Sequence, residues 1–382
     1  MNETVLISGA GIGGSTLAYW LAHRGFHVTV VERATGQRSS GNPVDVKGPA
    51  IDVVERMGIM GRLRAASSAV SHLSFVNASG RRVARVDLKA FQGSAGDREV
   101  EVPRADLAAI LLDASRDNAE FLWGDTITGL NQHADGVDVT FEHARPRRFD
   151  FVIGADGLHS AVRRLSFGDE SKFIRHMGIY IATVRVDEPF GSDREVLIYN
   201  TPGRALSVHP TNGQAMAAFI FRHKGVPGFD HRDTELHKRL VIEAFTDQGW
   251  RVPELLERVR DTDDLFFDSV SKGELARWSD GRVALLGDAA SCVSLFGDGS
   301  TLAIAGAYTV AEELAATPED HEDAFRRYEI RHRVLVDPRL NGVATAASML
   351  IPATRAGIAL RNTATRLLPA VTAIRSRLRH AA

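Results

Sequence analysis

Thr4-Val5-Leu6-Ile7-Ser8-Gly9-Ala10-Gly11-Ile12-Gly13-Gly14 is the stretch whose reading decides the fold. An apolar run, Thr4 to Ser8, meets a glycine cluster, Gly9 to Gly14. An apolar-faced stretch from Ser15 to Arg24 and a second apolar run, His27 to Glu32, follow. The pattern is strand, turn, helix, strand, which is one βαβ unit. G-x-G-x-x-G carries meaning only after a strand and at the head of a helix, and it has both here. Gly9 permits the tight turn, Gly11 lets backbone amides approach a diphosphate, and Gly14 lets the helix pack closely on the strand. The helix N-terminus then holds the negative charge, so Gly9, Gly11, Ile12, Gly13 and Gly14 form the expected binding turn.

Glu32 closes the second strand about 20 residues on, where a carboxylate can accept hydrogen bonds from adenosine ribose hydroxyls. It would repel a 2′-phosphate, which favours FAD or NAD over NADP at this turn, although the adjacent Arg33 leaves room for either. The competing reading is a glycine-rich turn with no ligand.

Composition sets the limits around this motif. A chain of 382 residues with 44% hydrophobic and 25% charged residues is long enough for a large core and for two domains. A formal net charge of −2 gives no basic footprint for nucleic acid. The single cysteine, Cys292, cannot form an internal disulfide, so a cytoplasmic setting is expected. The apolar N-terminus lacks a basic leader, and its glycines fall where a signal peptide needs an apolar core, so no targeting segment is expected. No run of about 18 uncharged apolar residues suggests a membrane span.

Along the chain, Leu73 to Asn77 and Val83 to Leu88 read as a hairpin, and Arg104 to Ser115 as a helix. Phe149 to Gly154 reads as a strand returning to the nucleotide-binding domain. Four β-rich runs between Ile174 and Arg222, with turns at Thr201-Pro202-Gly203 and Thr211-Asn212-Gly213, suggest an antiparallel sheet over a substrate. Arg282 to Gly287 is again a strand, Thr301 to Ala316 a helix, and everything beyond Arg331 looks helical, with breaks at Pro338, Pro352 and Pro369. The expected domains are 1–72, 97–173 and 272–330 for cofactor binding, 73–96 and 174–271 for substrate, and 331–382 as C-terminal helices.

Two later segments separate FAD from NAD. Asp150-Phe151-Val152-Ile153-Gly154-Ala155-Asp156-Gly157 resembles the Asp-Gly motif of the class A, aromatic-hydroxylase-like flavoprotein monooxygenases. Gly281-Arg282-Val283-Ala284-Leu285-Leu286-Gly287-Asp288 resembles the same family's Gly-Asp motif. With the N-terminal turn they come in the family's order, and the resemblance runs to about Leu314. It implies an α/β fold: a Rossmann-like FAD-binding domain, an antiparallel-sheet substrate domain and a C-terminal helical segment.

The resemblance assigns Asp288, with Gly287, to a ribityl or ribose hydroxyl of FAD, and Asp156, with Gly157, to contacts serving FAD and the pyridine nucleotide. For either acid alone, capping of a helix is the bland alternative. Arg104, in Val102-Pro103-Arg104-Ala105-Asp106-Leu107, is similar to the arginine that contacts the flavin nucleotide in that family. The loop Arg38-Ser39-Ser40-Gly41-Asn42-Pro43-Val44-Asp45 resembles that of the tetracycline-inactivating members, which implies that Arg38 meets NADPH and Asp45 the flavin. A solvated loop with a charged rim is the competing reading.

Gly297-Asp298-Gly299-Ser300-Thr301 stands where the family has Gly-x-Gly-x-Asn. Amides of Gly299, Ser300 and Thr301 could meet the N1 and C2 carbonyl region of the flavin and favour its anionic reduced form. Thr301 replaces the asparagine, Ser291-Cys292 replaces a common His-Pro, and Gly306 stands where aspartate is frequent. These departures bear on oxygenation rather than on the cofactor.

The resemblance implies that FAD, bound non-covalently, is reduced by NADPH or NADH and captures O2 as a C4a-hydroperoxide. The oxygen acceptor would be an aromatic or polycyclic small molecule, with no metal and no protein nucleophile. A non-oxygenating reductase or dehydrogenase, and a flavoprotein that binds a ligand without turnover, stay open as alternatives. A base that ionises a phenol would help. His209 and His223, on or beside strands of the substrate sheet, are candidates, though such histidines are more often structural. His321-Glu322 lacks the second histidine of a zinc motif, and Gly249-Trp250-Arg251-Val252-Pro253 lacks the second tryptophan of a flavin-dependent halogenase.

Overall fold

A computed structural model describes residues 3–36, 43–88, 98–186, 191–211, 214–226, 229–230, 233–292, 298–317 and 319–365. The chain divides into two compact units. The first comprises 1–67, 98–175 and 271–343, and the second comprises 68–97, 176–270 and 344–382.

The first unit is built on a six-stranded sheet. Its order is Ser279–Asp280, Val283–Leu285, Phe151–Gly154, Thr4–Ser8, His27–Glu32 and Glu120–Trp123. All neighbours run parallel except the first pair. Val5, Leu6 and Ile7 are fully buried, as a strand covered on both faces requires. The helices Ile12–His23, Arg104–Ser115 and Asp298–Ala316 contribute to one apolar cluster with the short strands Pro43–Val46 and Val100–Pro103.

The helix after the glycine turn begins at Ile12, not Ser15 as the sequence reading placed it, because Gly11 already serves as its N-cap in extended backbone. The run expected as one strand from Phe149 to Gly154 is split. Arg147–Phe149 joins a separate three-stranded sheet, and the chain enters the parallel sheet only at Phe151. Asp150 makes the transition, taking hydrogen bonds from the amide and hydroxyl of Thr4.

The second unit carries a seven-stranded sheet in the order Phe266–Gly273, Ile174–Val186, Gln214–Arg222, Arg204–Thr211, Glu195–Thr201, His72–Val76 and Arg82–Asp87. The expected hairpin is its edge, and the expected β-rich runs pair antiparallel. One pairing departs from this: Glu195–Thr201 runs parallel to His72–Val76. Alternate residues, among them Leu206, Val208, Ala217 and Phe219, pack with the helices Thr234–Phe245 and Val252–Asp261. Trp250 holds φ +57°, and its amide donates to Ala78 at the hairpin turn, so this tryptophan is fixed by the backbone around it. The Asn212-Gly213 half of the second expected turn lies outside the described residues.

The helix His321–Leu350 contains Pro338 without ending there, contrary to the expected break. The proline removes only the donor that would have met the carbonyl of Val334, whose side chain is on the exposed side. The chain does break at Pro352, before a second helix, Arg355–Thr365, while Pro369 lies outside the described residues. Arg361 of that second helix donates to Asn200 (2.9 Å) and lies 3.9 Å from the centre of the Phe75 ring. Among the described residues no single helix is long and apolar enough to cross a membrane.

Candidate functional site

In the parallel sheet, register aligns Ser8 with both Val31 and Gly154, and Gly154 with Leu285. The residues that follow these strands therefore emerge on one edge: Gly9-Ala10-Gly11, Glu32-Arg33, Ala155-Asp156-Gly157 and Gly287-Asp288. The carboxyl edge of a parallel sheet is where such folds bind ligands.

Three glycines of the turn, Gly9, Gly11 and Gly14, differ in what holds them. A Cβ on Gly9, at φ +103°, would lie 2.6 Å from the Ala155 carbonyl oxygen, and one on Gly14 would lie 1.9 Å from the carbonyl oxygen of Gly9. Both are demanded by the fold. A Cβ on Gly11 would meet nothing within 4 Å. Packing leaves that position open, as a cradle for a ligand would. The first helical amide bonded within the helix is that of Ser15, to Gly11. The amides of Ile12, Gly13 and Gly14 thus have no backbone partner among the described residues, as expected at a helix start, while the side chain of Ile12 belongs to the core.

Glu32 closes this turn. Its carboxylate accepts from the Ala10 amide (2.9 Å) and the Ala34 amide (2.8 Å), one on each oxygen. Each oxygen keeps a lone-pair direction for a ribose hydroxyl. Arg33 beside it is exposed, and Arg38 lies outside the described residues.

The two later acids differ sharply. Asp156 accepts from the hydroxyls of Ser8 and Ser160 and from the amides of Ala161 (2.8 Å) and Val162 (3.2 Å). Its oxygens secure the start of the helix Ala161–Ser166, where Ser160 is the N-cap. Gly157 follows at φ +78°, with open space where a Cβ would be.

Asp288 has no hydrogen-bond donor among the described residues. Burial pushes its carboxyl above the ordinary value, and the charge of Arg104 pulls it partly back. Asp288 is half-buried, so its carboxylate keeps some access to water and is open to a ligand hydroxyl that would donate to it. Arg104, exposed at the first turn of its helix, is the cation that faces it.

Between the two acids runs a link that the sequence did not reveal. The fully buried guanidinium of Arg163 donates to the carbonyls of Leu158 and Ala289 (3.1 Å to the latter) and to Glu170 (2.8 Å). It ties the loop after Asp156 to the loop after Asp288.

Asp45 and the helix start form the other side of this region. The carbonyl of Asp45 accepts from the hydroxyls of Ser300 and Thr301, both at 2.9 Å, and Thr301 also accepts from the Lys47 amide at 3.2 Å. Thr301, where an asparagine was expected, thus clips the helix to the strand Pro43–Val46. Gly299 lies beside Asp288, with 3.7 Å from its Cβ position to the carboxylate, while Gly297 lies outside the described residues. Lys47, unmarked in the sequence reading, pairs with Asp45 and Asp298.

Ser291 and Cys292 are buried after the Gly-Asp motif, and the Cys292 carbonyl accepts from the Gly273 amide at 3.3 Å. His209 and His223 belong to the second unit. His209 meets the Ser207 hydroxyl at 3.1 Å, and burial pushes its imidazole down to about 4. His223 contacts the carbonyl of Lys224.

The arrangement fits a dinucleotide with a diphosphate at Gly11, a ribose at Glu32 and a further hydroxyl at Asp288. Comparison with known proteins gives the cofactor class and the family. A family model described as FAD binding domain matches residues 2–334. An uncharacterized protein of Mycobacterium tuberculosis (strain H37Rv) is 37% identical over 339 residues, covering 88% of this chain and 91% of that one. A flavin-dependent monooxygenase of Legionella longbeachae (serogroup 1, strain NSW150) is 32% identical over 354 residues, covering 92% and 90%. The crystal structure of tetracycline destructase Tet(51) superposes with a TM-score of 0.83 at 29% identity, covering 97% of this chain and 98% of that one.

Proposed function

The chain belongs to the FAD-binding-domain family of flavin-dependent monooxygenases, and from that premise we propose that it uses NADPH or NADH and O2 to hydroxylate or otherwise oxygenate an aromatic or polycyclic small molecule. The observation that carries the site assignment is Asp288, a half-buried carboxylate without a donor among the described residues, at the sheet edge that also presents the Gly9–Gly14 turn. Bound FAD would supply the redox chemistry and the activation of oxygen. In this reading the amides of Ile12, Gly13 and Gly14 bind the diphosphate and Glu32 the adenosine ribose. Asp288 accepts a ribityl hydroxyl, and Arg104 neutralises nearby charge. Asp45, Gly157, Gly287 and the Gly299-Ser300-Thr301 helix start line the flavin, and Arg38 serves the pyridine nucleotide.

Asp156 shapes the loop that borders the cofactor through Ser160, Ala161 and Val162, and its Oδ1, with Ser160 as its one described donor, keeps an acceptor direction for a ligand in this reading. The sheet of the second unit is the substrate-binding element in this reading. A cytoplasmic setting accords with the single buried cysteine.

The test is to load the purified protein with FAD, add NADPH or NADH under air, and present a panel of phenols and polycyclic enols that includes tetracycline, the compound named for the Tet(51) neighbour. Substrate-dependent oxygen uptake with one atom of 18O in the product supports the proposal. Product formation that persists without oxygen would replace it with a dehydrogenase, and ligand binding without flavin reduction would leave a binding protein.

A further inference from the structure

Lys47 lies two residues beyond Asp45, and its ammonium sits between two carboxylates from distant parts of the chain. It is 3.1 Å from Asp45 Oδ2 and 3.0 Å from Asp298 Oδ1. Its own backbone is fixed at the same place, since its amide donates to Thr301 Oγ1 at 3.2 Å. Burial by itself would depress the ammonium, but Asp45 and Asp298 outweigh that and hold it above its ordinary value. Lys47 is therefore charged at every working pH. Arg339 faces Asp298 more loosely, at 3.7 Å.

The placement matters for what the helix Asp298–Ala316 can do. Its first amides offer partial positive charge, whereas Asp45 and Asp298 bring two full negative charges to the same end. Hydride transfer from NAD(P)H, two electrons and one proton, adds one negative charge to the bound flavin and releases NAD(P)+. Without Lys47, Asp45 would lose its ion pair and Asp298 would keep only the looser contact with Arg339, and their negative charge would oppose the added one.

Resting on the functional reading above, we propose that Lys47 is a positioning residue for flavin reduction: by holding Asp45 and Asp298 in ion pairs, it leaves the helix start free to favour the anionic reduced flavin. A clip that merely joined strand to helix would need no charge, because Ser300 and Thr301 already make that link. Lys47 supplies the compensation that those hydroxyls cannot.

The test is the midpoint potential of the FAD-loaded protein, read by spectroelectrochemical titration alongside the affinity for oxidised FAD. Relative to oxidised flavin, Lys47→Gln should bind the reduced form about tenfold less tightly, which is about 30 mV for a two-electron couple. Lys47→Arg should stay near wild type, and Asp298→Asn should shift the potential the other way. If Lys47→Gln does not take up FAD, Asp298→Asn reads the same balance. Potentials in Lys47→Gln and Asp298→Asn equal to wild type would overturn the proposal. A wild-type protein that cannot be loaded with FAD would instead overturn the functional reading beneath it, and that result is known before any variant is made.

Discussion

Gly306 and His332 occupy one space: a Cβ on Gly306 would lie 2.8 Å from Nε2 of His332 and 3.0 Å from Cδ1 of Leu286. The imidazole is buried among Trp278 and Tyr328, stacked on the latter with ring centres 5.8 Å apart. The family-like sequence around Gly306 would more often carry an aspartate there. Here the volume is taken by a ring from the last helix of the first unit. The departure at Gly306 is thus one half of a packing pair with His332.

Adding a methyl at this position sets two effects against each other. Alanine in a helix interior gains about 1 kcal/mol over glycine, whereas overpacking a filled core costs about 1 to 3 kcal/mol. With the imidazole boxed in, the steric cost should win, and Gly306→Ala should lower the denaturant midpoint. In a His332→Ala background the same change should become neutral or stabilising. Additive effects in this double-mutant cycle would show that the two residues do not compete.

His332 also predicts a pH dependence. Its Nδ1 has no hydrogen-bond partner among the described residues, and burial pushes the imidazole down to about 4 from an ordinary value of 6.5. A depressed imidazole binds its proton less readily in the folded state than in the unfolded one, so stability falls as pH drops below 6.5 and the loss is complete near 4. From the linkage relation this loss is about 2 kcal/mol by pH 5. Urea midpoints at pH 7.5 and pH 5 should differ less in His332→Gln than in wild type. Equal differences would remove His332 as the cause.

The cofactor turn was legible because its information is local. Strand, Gly9–Gly14 turn and helix follow one another directly, and the periodicity of Thr4–Ser8 and His27–Glu32 matches the strands observed. The pairs that complete the site are not local. Lys47 with Asp298, Arg163 with Ala289, and Gly306 with His332 each join separate segments, and no spacing rule announces them. Asp156 shows the opposite difficulty. It stands where a motif expects a ligand contact, and one of its oxygens is also committed to the Ala161 and Val162 amides of its own chain, which the motif does not announce. Pro338 misled in a similar way, since a proline on an exposed turn removes one hydrogen bond without ending a helix that tertiary packing holds.

Gly11 and Gly14 should respond differently to the same substitution. Gly14→Ala places a methyl 1.9 Å from the Gly9 carbonyl oxygen and should prevent the turn from forming, giving aggregated or unfolded protein. Gly11→Ala meets no atom within 4 Å and keeps an ordinary extended φ of −74°, so the apoprotein should fold as wild type does. Its methyl would then stand where the diphosphate approaches, and FAD affinity should fall at least about tenfold, or about 1.4 kcal/mol. Circular dichroism and flavin fluorescence quenching separate the two effects. A Gly11→Ala protein that binds FAD as tightly as wild type would move the diphosphate away from this turn.

Asp288 yields two effects of opposite sign. In the apoprotein its carboxylate is half-buried without a described donor, and desolvation raises it above the ordinary value of 3.8. A raised carboxyl binds its proton more readily folded than unfolded, so the ionised group costs stability at neutral pH, and the cost disappears as pH falls below 3.8. Asp288→Asn should therefore make the apoprotein slightly more stable at pH 7.5, by no more than about 1 kcal/mol for a half-buried polar group, with the advantage shrinking toward acid. The same substitution replaces an anionic acceptor of a cofactor hydroxyl with a weaker neutral one, and FAD should bind about tenfold less tightly. A stabiliser of the empty protein that weakens the loaded one is the mark of a residue kept for its ligand. If Asp288→Asn destabilised the apoprotein and left FAD affinity unchanged, Asp288 would be a structural acid, and the flavin hydroxyl would have to find another acceptor.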